Sequence, residues 1–159
     1  MPKITPFLWF DSQAEEAARF YVSLFPNSRI RGIVRYGAAG PGPAGAVMTV
    51  AFELNGFELT ALNGGPQFPF TEAISLVATC DSQVEIDTLW EKLLAAGGRE
   101  SRCGWLKDRY GLSWQVVPAA LPELLGDKDA AKAQRAMRAM LGMVKLDIAA
   151  LKKAHAGSG

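Results

Sequence analysis

The chain of 159 residues has one histidine, His155, and two cysteines, Cys80 and Cys103. So little imidazole and thiolate leaves few of the ligands from which a closed transition-metal site is built. Two cysteines cannot supply a disulfide framework, and they are expected as free thiols; a single bridge fits the count without being demanded. No sign of charge dominates. Seventeen Lys and Arg stand against 16 Asp and Glu, for a formal net charge of +1. The two signs are interleaved, so the basic footprint of a nucleic-acid-binding protein is missing. No window approaches ~18 consecutive apolar residues, the length a membrane-spanning helix needs. Met1 to Thr5 lacks the apolar stretch of a signal peptide. Together these absences lead us to expect a cytoplasmic protein with neither nucleic acid nor membrane as partner. His155, close to the C-terminus, is expected as a solvated tail residue.

What the chain does have is a repeated word. Asp-Ser-Gln occurs at Asp11-Ser12-Gln13 and at Asp81-Ser82-Gln83, each time leaving an apolar strand-like run and entering a helix-like one. In both copies Ser is followed three residues later by Glu, Glu15 or Glu85. That is the spacing of a capping box, so the first expectation for both copies is helix capping. A duplicated unit also implies a pseudo-symmetric protein with a cleft between its halves.

Periodicity places a strand at 4–10, a helix at 12–25 with Ala14, Ala17, Ala18, Tyr21 and Leu24 at helical spacing, and a strand at 29–36. A glycine- and proline-rich loop, 37–45, follows. Strands at 46–54 and 57–62 pair through Asn55-Gly56, a two-residue hairpin signal. The second unit repeats the order, with a strand at 73–80, a helix at 82–96 stopped by Gly97-Gly98, strand material at 100–107, a turn at Asp108-Arg109-Tyr110-Gly111 and a strand at 112–117. Each unit is therefore βαβββ, over 3–66 and 71–118. From 123 to 155 the composition is helical, in two segments broken near 142–145. We expect one α+β domain over 1–159, with 119–159 as a C-terminal helical extension.

Four stretches carry a family resemblance: Phe20 to Ser28, Ala61 to Pro66, Thr79 to Gln83, and Cys103 to Pro118. They resemble the PhnB-like branch of the glyoxalase, or vicinal oxygen chelate, superfamily, a branch that carries the domain name 3-demethylubiquinone-9 3-methyltransferase. The resemblance spans roughly 3–155. It implies the glyoxalase/bleomycin-resistance/dihydroxybiphenyl dioxygenase-like fold and, as in related proteins, a homodimer. Metal-using relatives place His, Glu, His and Glu on the first and last strands of the two units. By this alignment Gln115 stands at a Glu position, Thr5 and Ser75 at the two His positions, and Glu58 is the candidate for the other Glu. Thr, Glu, Ser and Gln are a poor set for a divalent transition metal, so no metal and no cofactor is expected. S-adenosyl methyl donors are usually held at a glycine-rich turn after the first strand, and here that turn is Asp11-Ser12-Gln13.

Other chemistry is sparse. With no histidine near either cysteine in sequence, a Cys–His nucleophile is not available. Cys80 is expected to pack as a small hydrophobe. A general base at Glu58 or Asp108 would require burial to raise its pKa; the default role of Asp108 is to bond backbone N–H groups within its turn. Trp9, Trp105 and Trp114 read first as core. Strand parity nevertheless puts Thr5, Phe7 and Trp9 on one face and separates Gln115 from Trp114. The expected ligand lining is Thr5, Phe7, Trp9, Thr60, Ser75, Val77, Trp105 and Gln115, with Glu58 near it. Such a wall suits a small, mostly apolar organic molecule rather than a phosphate. The alternatives are a 3-demethylubiquinone-9 3-methyltransferase-like enzyme and a protein that sequesters drugs or toxins. In the tail, Ala136, Met137, Met140, Leu141 and Val144 form an apolar stripe that serves either the chain's own core or a dimer contact.

Overall fold

The computed structural model describes residues 1–157 and divides into two compact units, the first ending at Phe70 and the second beginning at Thr71. The first contains β1 (Phe7–Phe10), α1 (Ala14–Leu24), β2 (Arg29–Arg35), β3 (Val47–Leu54) and β4 (Phe57–Asn63). The second contains β5 (Ser75–Cys80), α2 (Gln83–Leu94), β6 (Arg99–Glu100), β7 (Trp105–Lys107) and β8 (Ser113–Pro118), then α3 (Leu121–Leu125), α4 (Ala130–Leu141) and α5 (Ile148–Ala156). Each unit is a four-stranded mixed sheet, in the order β1-β4-β3-β2 and β5-β8-β7-β6. In each, the first and last strands pair in parallel and the rest are antiparallel. The duplicated βαβββ order is present. None of the described helices is long and apolar enough to cross a membrane.

The two sheets share a register. Phe10 pairs with Asn63 at the end of β1–β4, and Cys80 with Pro118 at the end of β5–β8. The next amide bonds back in both, Gly64 N to Phe10 O at 2.9 Å and Ala119 N to Cys80 O at 2.8 Å. Each sheet has one face covered by its helix. Leu8, Phe10, Val50, Phe52, Leu59 and Ala61 are buried under α1, where the ring of Tyr21 stacks on Phe52 at 6.3 Å. Phe7 and Val77, out of phase with those sets, are 59% and 56% exposed. The alternation expected from parity is therefore present in both sheets.

Several boundaries differ from expectation, for local reasons. β1 starts at Phe7 rather than at residue 4, because Pro6 has no N–H to give to a ladder and only its carbonyl is used, by Thr60 N at 3.1 Å. The strand expected over 100–107 is split by a turn in which Cys103 and Gly104 both take positive φ, 58° and 84°. Asn55 and Gly56, at φ 48° and 84°, make the tight hairpin.

The capping expectation holds for one copy of Asp-Ser-Gln. At α2, Ser82 Oγ accepts from Glu85 N at 3.2 Å and Glu85 Oε2 accepts from Asp81 N at 2.8 Å. At α1 no side chain of that word caps the helix; Asn63 Oδ1, from the end of β4, accepts from Ala14 N at 2.8 Å. The Gln of the second copy has a further task. Gln83 Oε1 accepts from Ile148 N at 2.8 Å, and its amide donates to Leu146 O at 3.0 Å, which pins the start of α5 beside α2.

The tail forms three helices where two segments were expected. Leu121, Leu124, Ala136, Leu146 and Leu151 are its buried cluster, with Val117 and Met140 packed against it. The apolar stripe of α4 is thus partly spent on the chain's own core, although Leu141 and Val144 stay exposed. His155 is not a solvated tail residue. Its Nε2 meets Asp127 Oδ2 at 2.8 Å, while Arg135 donates to the carbonyls of Ala154 and His155 at 3.1 and 3.0 Å, closing the C-terminal end of α5.

Candidate functional site

In the first unit the uncovered sheet face carries Phe7 and Trp9 from β1, Glu58, Thr60 and Leu62 from β4, and Thr49, Ala51 and Glu53 from β3. The register places Phe7 beside Thr60, Trp9 beside Leu62, Ala51 beside Thr60, and Glu53 beside Glu58. A cavity of about 240 Å³ opens there, lined by Lys3, Thr5, Arg31, Ala51, Glu58 and Thr60, with Phe52 and Leu59 contributing from below. Three of the expected site residues of this unit, Thr5, Glu58 and Thr60, therefore lie around one cavity.

Its charge was not foreseen. Glu58 is paired with both Lys3 and Arg31, and Glu53 with Arg29 at 2.7 Å and Arg31 at 3.3 Å. The hydrogen bond from Lys3, with the charges of Lys3 and Arg31, holds the Glu58 carboxyl below the ordinary carboxylate range against a smaller opposing effect of burial. The raised pKa that a general base at Glu58 would require is therefore replaced by its opposite. Arg31 reaches this face from a β-bulge: β2 and β3 slip register between Ile30 and Gly32, a device that re-aims a side chain. Gly32 pairs with Ala51, and a Cβ at residue 32 would have no atom within 4 Å. The signal in the sequence was Arg31-Gly32 itself, a glycine inside a strand-like run, which often marks a bulge or a close approach by a ligand.

Trp9 stands on the expected face, but its ring is engaged by the connector that follows β4. Its Nε1 donates to Gly65 O at 2.9 Å, Phe68 meets it edge-on at 4.9 Å, and a Cβ on residue 64 would lie 2.4 Å from the ring. Gly64 is therefore a packing requirement.

In the second unit the uncovered face aligns Val77, Gln115 and Trp105 in one row across β5, β8 and β7. Gln115 Nε2 donates to Ser75 Oγ at 3.0 Å. Ser75, Val77, Trp105 and Gln115 are thus gathered as parity implied.

Asp108 is placed differently. It is 3% exposed, its Oδ1 accepts from Tyr110 N at 2.9 Å and Leu112 N at 3.1 Å, and its Oδ2 accepts from Trp114 Nε1 at 2.9 Å. It holds the β7–β8 turn and orients a core indole, an extension of its default turn role.

Among the described residues no three His, Cys, Asp or Glu side chains come together where they could share an ion. Of Thr5, Glu58, Ser75 and Gln115, only Glu58 is a carboxylate, and it is already engaged by two cations. The turn that would hold a methyl donor, Asp11-Ser12-Gln13, contains no glycine, and the first amide of α1 is occupied by Asn63. The chain does not present that phosphate- or nucleoside-type cradle.

Both cysteines are free. Cys80 is buried, and burial first, then the charges of Glu85 and Asp81, push its thiol up to about 11. At pH 8 it is therefore a protonated, inert thiol. Alkylation by iodoacetamide at pH 8, followed by peptide mapping, should label Cys80 only after urea unfolding; labelling of the native protein at the unfolded rate would contradict this.

The comparisons with known proteins agree with this architecture. The family described as 3-demethylubiquinone-9 3-methyltransferase matches residues 2–117, stopping short of the helical tail that the resemblance had been expected to include. The PhnB protein from Bacillus cereus is 42% identical, with a TM-score of 0.68 over 74% of this chain and 100% of its own. Protein PA1353 from Pseudomonas aeruginosa is 23% identical, with a TM-score of 0.60 over 74% of this chain and 98% of its own. The genomically encoded fosfomycin resistance protein FosX from Listeria monocytogenes, at 13% identity and a TM-score of 0.51 over 77% of this chain and 97% of its own, shares the fold. No curated protein matches the chain. With two βαβββ units, a family match over well more than half its length and a 42% identical PhnB relative, the chain belongs to the PhnB-like 3-demethylubiquinone-9 3-methyltransferase family.

Proposed function

We propose that this chain is a metal-independent, PhnB-like protein that binds a small, mostly apolar organic molecule on the uncovered face of its first sheet, and that it works in the cytoplasm as a homodimer. The observation that carries the reading is the cavity bounded by Thr5, Ala51, Thr60, Arg31, Lys3 and Glu58, beside the exposed ring of Phe7. Small residues and hydroxyls leave room there, and Phe7 supplies an apolar wall. Val77, Gln115 and Trp105, with Ser75 hydrogen-bonded to Gln115, form a second uncovered patch of similar chemistry. Methyl transfer finds no support in the turns, and the donor set gives no support to metal catalysis.

Two measurements test the reading. Elemental analysis of the purified protein should find no stoichiometric Zn, Ni, Mn or Fe; one tightly held metal per chain would overturn the metal-independent part. Calorimetric titration with quinones and substituted benzenes should find binders, and Phe7→Ala should weaken them by about 1–2 kcal/mol, the scale of losing part of one buried aromatic face. Unchanged binding in Phe7→Ala would remove the ligand from this face.

A further inference from the structure

We propose that the ligand of the first unit carries a carboxylate, received by Arg31 and Lys3 at a subsite that the carboxylate of Glu58 now fills. This rests on the reading of that face as a ligand site and adds the charge class of the molecule. Three cations, Lys3, Arg29 and Arg31, share two carboxylates, Glu53 and Glu58, so the cluster keeps one positive charge in excess. All of Arg31's ion-pair contacts run through Nη1. Among the described residues the Nε and Nη2 donors of its fork are uncommitted, and that edge of a guanidinium matches the two oxygens of a carboxylate. Lys3 belongs to the segment before β1 and has 67% of its side chain exposed, so it can follow an incoming anion at little packing cost.

The strand is built to bring Arg31 there. The bulge at Arg31 turns its side chain to the cavity, and the neighbouring Gly32 keeps the adjoining space empty although its backbone does not require glycine. Thr5 and Thr60, also around the cavity, add hydroxyls that can donate to a carboxylate oxygen. Glu58 acts in this arrangement as a resident competitor. It keeps the cations from lying unpaired when no ligand is present, and it sets a threshold that only an anion of matching shape exceeds.

Isothermal titration with benzoate, benzyl alcohol and benzylamine tests this, since the three share a ring and differ in charge. Benzoate should bind the most tightly at low salt, and its advantage should shrink in 1 M NaCl as exposed charges are screened. Glu58→Gln should tighten benzoate by about three- to fivefold, the scale of one partly exposed ion pair, and leave benzyl alcohol unchanged. Arg31→Gln should cost benzoate about tenfold or more, as loss of a charge-assisted pair implies, while Arg31→Lys, which keeps the charge without the fork, should restore part of it. Thermal melts of each variant separate lost binding from lost folding. Equal binding of benzoate and benzyl alcohol, or a preference for benzylamine, would overturn the carboxylate while leaving an apolar site on this face. Binding of none of the three would overturn both.

Discussion

Trp114→Ala is expected to lower the stability of the protein by about 3–5 kcal/mol, the range for deleting a large aromatic ring from a packed core. Trp114 is 2% exposed, sits in β8 between β5 and β7, and pairs with Leu76 and Leu106 on the face covered by α2. The ring has little opportunity to be replaced by collapse of its neighbours, because it lies in the middle of the sheet and its N–H is held by Asp108 at 2.9 Å. Urea unfolding followed by circular dichroism reads the loss directly, and Trp9→Ala is the control. Trp9 is only half-buried and packs on a connector, so its removal should cost less. A Trp114→Ala protein that melts with the parent would mean that the faces of β8 are assigned backwards.

Asp108→Ala should be nearly as damaging, by about 3–5 kcal/mol, because it strands several buried donors at about 1–3 kcal/mol each. The amides of Tyr110 and Leu112 and the indole N–H of Trp114 all lose their acceptor. Asp108→Asn separates the parts: an amide oxygen can still accept from the two backbone N–H groups, while its NH₂ would oppose the indole N–H. An intermediate loss is expected, and a double-mutant cycle with Trp114→Phe, which has no N–H to satisfy, should recover part of the Asn penalty. Should Asp108→Asn fold as stably as the parent and lose an enzymatic activity instead, the catalytic role considered for this residue would return and the structural one would fall.

Much of the fold is legible in the chain because it is written in short-range terms. Alternation in Phe7 to Phe10 and Ser113 to Pro118, helical spacing from Ala14 to Leu24, the Asn55-Gly56 turn and the repeated Asp-Ser-Gln all act within a few residues. They suffice for two βαβββ units and for the faces of their strands, since a period of two leaves a strand only one way to bury its apolar set. The scarcity of histidine and cysteine, one and two in the whole chain, was likewise legible from composition alone, and with it the expectation that Thr5, Glu58, Ser75 and Gln115 make a poor set of metal ligands.

Partnerships across long sequence separations were decided only by the tertiary structure. That Asn63 rather than Ser12 caps α1, that Gln83 pins α5, and that His155 lies against Asp127 follow from which strand ends and helix ends the sheets bring together. The same is true of the charged cluster. Lys3, Arg31 and Glu58 are 28 and 27 residues apart in turn along the chain, and while Glu58 was singled out by the resemblance, nothing in the sequence set either cation beside it. Their convergence depends on a one-residue bulge in β2 and on the register of β3 against β4, neither of which leaves a periodic mark in the sequence. Hydrophobic patterning states which side of a strand faces the core; it says nothing about which polar side chains meet on the other side, because that side is specified by pairing and not by burial.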